Sequence, residues 1–561
     1  MDARAPSSRD LRAAQGRVWP IGSVADVGTM LRANLVVASG TALSRVTGLA
    51  RVLAFAYVIG QTSLADAYKL ANETPNIVYD LLLGGVLSAT LVPIFTSLGW
   101  GSEDCEDPAA RRRSTEAVVT AAVAGVALVT VLAVALAPWI FRLYSLSIGD
   151  GVDPEVFRST GTTLARFFLI QILFYGLTGI ANALLNSRRR FLAASWAPVV
   201  SNLVIIGSLL TLPEAGSRAW ALTEVATTDR LRLTLGLGAT AGIAAMAVIV
   251  VSAVWRSGIR LRPRLDLGDP AVRRLASMSG WTLGFVLANQ VALVVVRNLA
   301  DPGSSLASAY FDAFTFFVLP HGLLAVSVAT TFQPELAAAV AGRDRDAFAA
   351  RFTTGLRAII ALTAPAAALI FVLRQPLISG LMERGRFDAV AVANTTDALA
   401  GLSLGLVGFS VYMFSLRGYY AHHDTRTPFV LNVGENLANI VVALLLVGPL
   451  GILGLGLAHS VAYAIAAIAA VIVLGNRVGR PLVSELTGTL WRVGLAALLA
   501  AEVAWVVSRA LNAESPSGRL LTTVIAGAAG LLAYLLGLIL LRFSGARESL
   551  NRAVRRGRRD G

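Results

Sequence analysis

Seven residues in the first hundred have the types and spacing to do chemistry. Arg45 and Arg51 lie six apart inside an apolar run, and Asp66, Lys69, Glu73, Asn76 and Asp80 follow at intervals of 3, 4, 3 and 4. Guanidinium groups in a non-aqueous setting bind phosphate oxygens, because the planar fork matches their geometry. Spacing of 3 and 4 puts the second group on one face of a helix, as a polar stripe. Six residues along a helix turn the chain by about 120° from the first arginine to the second, and Gly48 between them loosens that geometry. A charge at the bilayer centre costs about 2.5–3.5 kcal/mol on insertion scales, so these groups are expected to face a cavity or one another. Pairing that only holds helices together is the competing reading, and solvent exposure near an interface competes for Asp66.

The elements that position these groups are membrane helices. The chain has 561 residues, 55% hydrophobic and 15% charged, with a mean hydropathy of +0.67. A soluble domain is about 25% charged. Apolar runs long enough to cross a bilayer, about 20 residues each, recur from near residue 33 to near 543. They number about fourteen, and helices are the form expected because lipid cannot satisfy open backbone groups.

The net charge of +14 falls in alternate loops: 111–113, 188–190, 256–274, 343–351, 426, 477–480 and 542–559. The intervening loops are neutral or acidic, as at Asp150, Asp153 and Glu155. This is the positive-inside pattern. It predicts cytoplasmic termini, a basic tail against anionic headgroups, and no nucleic acid as partner. Residues 1–30 read as a cytoplasmic tail with no cleavable signal. The single cysteine, Cys105, rules out an internal disulfide.

The longest basic linker, 258–274, separates two candidate halves, 31–257 and 275–478, of six spans each. Residues 479–543 add two spans, and 544–561 form a basic tail. A faint repeat supports the halves: Pro198 precedes Asn202 by four residues, as Pro428 precedes Asn432, each at the start of a fifth span. The expected fold is therefore an all-α integral membrane protein, two six-helix halves around a central cavity plus two C-terminal helices. Transporters of this plan expose the cavity to each side in turn.

Other polar residues carry weaker readings. Arg166, Arg297, Arg374 and Arg417 lie near span ends, where long side chains snorkel. Asp312 and Glu335 bracket the eighth span. Glu435, Asn432, Asn436 and Asn439 read as interhelical hydrogen bonding. His321, His422, His423 and His459 lack metal-ligand spacing. No P-loop, HExxH or GxSxG occurs, so no ATP-driven pump, enzyme, cofactor or metal is expected.

Four stretches resemble the MviN/MurJ family of lipid II flippases. They are SRVTGLAR with ADAYKLANETPNIVYDLLLGGVLSATLVPIF; ALLNSRRRFLAASWAPVVSNLVII; LPHGLLAVSVATTFQPELA with RQPLISGLMERGRFDAVAVANT; and GYYAHHDTRTPFVLNV. They stand in family order from about residue 33 to 450. The resemblance implies a bacterial plasma-membrane protein with a cationic cavity. It implies a lipid-linked disaccharide-pentapeptide as substrate, and membrane lipids and cell-wall synthesis proteins as partners. It assigns substrate binding or switching to Arg45, Arg51 and Asp66, the carboxylate holding the arginines while the site is empty. The chain departs from the family pattern at Glu73, in place of a lysine, at Tyr79, Asp80 and Gly84, and after Asp312, where an arginine is absent. Arg45, Arg51 and Lys69 then only balance Asp66, Glu73 and Asp80. Transport of another lipid-linked glycan, drug antiport, and a non-transporting scaffold for cell-wall synthesis stay open alongside lipid II flipping.

Overall fold

The computed structural model describes residues 24–81, Leu91, Phe95, 108–188, 190–213 and 215–541. The tails at 1–23 and 542–561, Cys105 and Gly84 lie outside the described residues. Helices dominate, as hydropathy requires. The N-terminal half holds α1 (Val24–Val58), α2 (Ser63–Ala71), α3 (Glu73–Leu81), α4 (Pro108–Ala135), α5 (Ala137–Leu143), α6 (Pro154–Leu169), α7 (Gln171–Ser187), α8 (Leu192–Leu210), α9 (Leu222–Thr227) and α10 (Asp229–Arg256). Then come α11 (Pro270–Leu299), α12 (Leu306–Pro320), a π-turn (His321–Ala325), α13 (Val326–Ala341), α14 (Arg345–Met382), α15 (Ala389–Ser403), α16 (Leu406–Ala421), α17 (Arg426–Val478), α18 (Leu482–Leu511) and α19 (Pro516–Leu540).

Among the described residues, nine helices are long and apolar enough to cross a membrane, or ten if α15 and α16, bent by 51°, count as one span. This count covers the described residues only and is smaller than the expected fourteen. Much of 82–107 lies outside the described residues. The 53-residue α17 is two arms, because Gly451 takes φ 54° and ψ −134° just after Pro449. A Cβ on Gly454 would lie 2.3 Å from the Leu446 carbonyl oxygen. Residues eight apart in a straight helix are about 12 Å apart, so the chain folds back here. The first helix begins at Val24, earlier than the boundary at 31 expected from hydropathy.

The buried apolar clusters follow the chain. Phe141, Phe157, Phe168 and Leu235 share one, and Tyr175, Ile180, Met246 and Val250 another, both centred on α2–α10. Phe317, Ile378, Leu399 and Leu455 share a third with the end of α1, through Ala56. Phe352, Tyr412, Leu474 and Val493 belong to a fourth, which draws α18 and α19 onto α14; there Tyr534 Oη donates to Ala361 O at 2.6 Å. Asn202 Nδ2 on α8 donates to Thr47 Oγ1 on α1 at 3.1 Å. Asn432 Nδ2 on α17 donates to Asn289 Oδ1 on α11 at 3.2 Å. The two asparagines of the faint repeat thus both bond to the helix that opens their half.

Residues 190–191 and the loops at 257–269, 342–344, 422–425 and 479–481 share one end of the bundle, by the order of the helices they join, called here the basic end. The loops at 59–62, 144–153, 300–305 and 383–388 meet at the opposite, neutral end. At the basic end Asp424 caps α17, accepting from Arg426 N at 3.0 Å, Thr427 N at 3.1 Å and Thr427 Oγ1 at 2.6 Å, and it pairs with Arg477. Burial alone would push its carboxyl up; the Thr427 bonds and the Arg477 charge outweigh this and hold it at about 2. The folded value lies below the ordinary 3.8, so this stability is present above about pH 4 and lost as pH falls towards about 2. Asp424→Asn is expected to lower the melting temperature in detergent at neutral pH, with the difference from wild type shrinking as pH falls through that window.

Helices α15 and the second arm of α17 touch backbone to backbone. A Cβ on Gly456 would lie 2.6 Å from Ala398 O, and one on Gly401 would lie 2.5 Å from Leu453 O. Gly434 has nothing within 4 Å of its Cβ position. Gly456→Val is expected to destabilise by about 1–3 kcal/mol through overpacking, read as a lower melting temperature, and Gly434→Ala is expected not to.

Candidate functional site

The site is built where α2 and α3 meet the start of the second half. Proline has no N–H and its ring crowds the carbonyl four residues back; for Pro75 that residue is Ala71. The helix accordingly breaks at Asn72, which caps α2, rather than at Pro75 itself. Thr62 Oγ1 caps the other end of α2 by accepting from Ala65 N at 3.2 Å.

Asp66 is 0% exposed. One carboxylate oxygen accepts from Gly303 N at 2.8 Å and Ser305 N at 2.9 Å, the other from Ser308 N at 2.7 Å. These donors surround the N-terminus of α12, where open N–H groups and the helix dipole favour an anion. Gly303, at φ 95°, supplies the turn that aims them. Asp66 is therefore the anion that caps α12, not the counter-ion of Arg45 and Arg51 expected from the sequence. Its acceptor sites are taken by backbone, which the spacing of charges could not reveal.

The rest of the stripe divides. Lys69 Nζ lies 2.7 Å from Asp312 Oδ1 on α12 and 3.3 Å from Ser308 O. Gln61 Nε2 donates to Thr395 Oγ1 on α15 at 2.6 Å and to Asp312 Oδ2 at 3.4 Å. Glu73 Oε1 lies 3.0 Å from Arg297 Nη2 on α11. Arg297 also lies over the Phe311 ring at 3.8 Å and is only 5% exposed, so it is pinned between the halves and does not snorkel. Asn76 turns the other way and accepts from Tyr175 Oη on α7 at 3.2 Å. Asp80 belongs to α3, and its side chain lies outside the described residues. Ser63 Oγ donates to Gly303 O at 2.6 Å, Arg386 N to Tyr57 O at 3.0 Å, and Gly149 N to Pro302 O at 3.0 Å. The polar stripe expected to line a cavity is thus largely spent in a seam that closes the neutral end.

Arg45 and Arg51 are different. Neither has a hydrogen-bond or ion-pair partner among the described residues. Arg45 is exposed, yet its Nη1 lies 3.6 Å from the Cβ position of Gly322, in the π-turn of the other half. Arg45 is thus an exposed charge beside the π-turn of the second half. Arg51 is half-buried, and its charge reaches Tyr68. Arg417 on α16, also half-buried and without such a partner among the described residues, has a charge that reaches His321 at the start of the π-turn. His321 Nδ1 is 3.0 Å from Ser410 Oγ. Arg45 and Arg417 flank one irregular turn from opposite halves of the chain. Sequence position alone put Arg417 at a span end, and nothing in the sequence marked its approach to His321.

The arrangement combines free cations, able to take an anion with several oxygens, with a polar seam that must break for the neutral end to open. Removing one partner of a buried ion pair costs about 3–5 kcal/mol. Lys69→Ala and Asp312→Ala are each expected to destabilise by that order. The double variant is expected to cost less than their sum, measured by denaturation in detergent as a double-mutant cycle.

A sequence profile described as "Lipid II flippase MurJ" matches residues 55–524. The lipid II flippase MurJ of Burkholderia cenocepacia is 29% identical over 409 residues, 72% of this chain and 76% of its own length. The probable lipid II flippase MurJ of Rhizobium meliloti is 29% identical over 438 residues, 77% and 78% of the two chains. Among solved structures, one described as lipid II flippase MurJ in an inward closed conformation has a TM-score of 0.72 at 21% identity. It covers 91% of this chain and 99% of that one. An inward-facing multidrug transporter of the MATE family has a TM-score of 0.62 at 13% identity, covering 80% and 99%.

Proposed function

Because the chain belongs to the MurJ family of lipid II flippases, we propose that its free arginines carry the pyrophosphate of lipid II between leaflets as the two halves rock about the space they enclose. The observation that carries this reading is the contrast within one short region. Every described charge of the stripe in α2 and α3 is consumed by the other half, whereas Arg45, Arg51 and Arg417 keep their guanidinium groups open. Drug antiport and a non-transporting scaffold give way to flipping.

The cycle follows from that contrast. With the neutral end sealed by Asp66, Lys69 and Glu73, a lipid headgroup enters from the basic end. The positive-inside pattern assigns that end to the cytoplasm and the protein to the bacterial inner membrane. The pyrophosphate takes its charge-assisted bonds from Arg45 and Arg51, with Arg417 across the π-turn supplying the third cation. Opening the neutral end then requires Asp66 to leave the N-terminus of α12, and Lys69 and Glu73 to leave Asp312 and Arg297. The six-plus-six-plus-two division at 258–274 and 479 makes the moving bodies the two halves, with α18 and α19 carried by the second. Cell-wall synthesis proteins that take up lipid II on the outer face are the partners this role requires.

A charge-assisted hydrogen bond contributes about 1.5–3 kcal/mol, or roughly ten- to a hundredfold in affinity. In cells that depend on this protein as their flippase, Arg45→Ala and Arg51→Ala are expected to lower lipid II exposure on the outer face by at least about tenfold at equal protein level. Arg417→Ala is expected to lower it by less. Normal exposure with both first-helix arginines removed would overturn the cationic-site reading.

A further inference from the structure

Gly322, the second residue of the π-turn, has no need of glycine in its own backbone. Its φ lies outside the left-handed region, so other residues could adopt it. Glycine inside a helix is also less favourable than alanine. Among the described residues, a Cβ added there would meet nothing closer than 3.6 Å, an ordinary contact. The three heavy atoms nearest that Cβ position all belong to Arg45: Nη1 at 3.6 Å, Cζ at 3.7 Å and Nη2 at 3.8 Å.

These near-equal distances fix an orientation. A carbon off the edge between the two nitrogens would lie clearly farther from Cζ than from either of them. Near equality puts the Cβ position over the flat face of the guanidinium. The face therefore rests on Gly322, and the N–H groups, which lie in the plane, point sideways. Arg45 is exposed and has no hydrogen-bond partner among the described residues, so those edges are open. The oxygens of a phosphate meet a guanidinium in its plane, two N–H groups at a time.

The turn beneath is held from behind. Val326 N donates to His321 O and closes it. His321 Nδ1 lies 3.0 Å from Ser410 Oγ on α16, and its ring stands edge-on to Phe409 with centroids 4.6 Å apart. Ala325, at the end of the turn, is 1% exposed.

We propose that Gly322 is a positioning residue for anion binding, the flat seat that turns the N–H edges of Arg45, and not its face, towards a pyrophosphate. This rests on the cationic-site reading above. A methyl group fits under the guanidinium at 3.6 Å. A β-branched side chain fills two of the three directions beyond Cβ and pushes the guanidinium off its seat. Arg45 and Gly322 belong to different halves, so the seat is in place in the arrangement seen here, with the neutral end sealed.

The test measures binding of undecaprenyl pyrophosphate, which carries the pyrophosphate without the glycan, to purified full-length protein in detergent. Melting temperature is recorded for every variant. Wild type and Gly322→Ala are expected to bind equally. Gly322→Val is expected to bind about tenfold more weakly, the loss of one charge-assisted bond, at an unchanged melting temperature. In an Arg45→Ala background Gly322→Val is expected to cost nothing further, a dependence that a merely structural role would not show. Gly322→Leu is read in the same way if the valine variant does not fold. Wild-type affinity in Gly322→Val, an equal loss in Gly322→Ala, or the same further loss in the Arg45→Ala background would each overturn the proposal. Wild-type affinity in Arg45→Ala alone would overturn the cationic-site reading and the seat with it, so the two failures are told apart.

Discussion

Three backbone N–H groups point at one carboxylate, and the rest of this architecture is arranged around that fact. Asp66 sits at the start of α2, in the first half. Its donors, on Gly303, Ser305 and Ser308, belong to the turn and first residues of α12, in the second half. The bond satisfies amides that a buried helix start would otherwise leave open. It also joins the first half of the chain to the second. In the proposed cycle this contact has to break, and something of comparable strength has to be gained elsewhere.

The compensating terms are electrostatic and nearby. Lys69 with Asp312 and Glu73 with Arg297 are closed pairs, neutral as units, so little long-range field escapes from them. Arg45, Arg51 and Arg417 are open charges, and their field is available to a polyanion. Charges balanced in composition are thus unbalanced in space. The resemblance to flippases with more basic second spans is reconciled in this way: the carboxylates of α2 and α3 described here do not cancel Arg45, Arg51 and Arg417, because they are spent at the seam.

Much of this was legible in the sequence, and the rest failed for identifiable reasons. Helicity and the membrane setting followed from hydropathy. The stripe from Asp66 to Glu73 was found by its spacing, but its target was misjudged. Spacing gives the face of a helix and not what lies opposite, and the partners Asp312 and Arg297 are more than 220 residues away. The break at Asn72 instead of Pro75 was available in principle, since proline disturbs the turn before it. The fold-back at Gly451 agrees with the two spans that the apolar runs on either side of Pro449 predict. The paired roles of Asn202 and Asn432 were visible as a repeat before either partner was known.

The π-turn at 321–325 carries a consequence for changes to the sequence. A π-turn holds one residue more than an α-helical turn, so α12 and α13 are out of phase by about 100° relative to one unbroken helix. Asp312 faces the seam and Gly322 lies beneath Arg45 on the two sides of that phase step. Loss of one residue here would leave every side chain intact and yet rotate the whole of α13 against its neighbours. A single charge can therefore be exchanged with far less disturbance than a change in the number of residues between Asp312 and Val326 would cause.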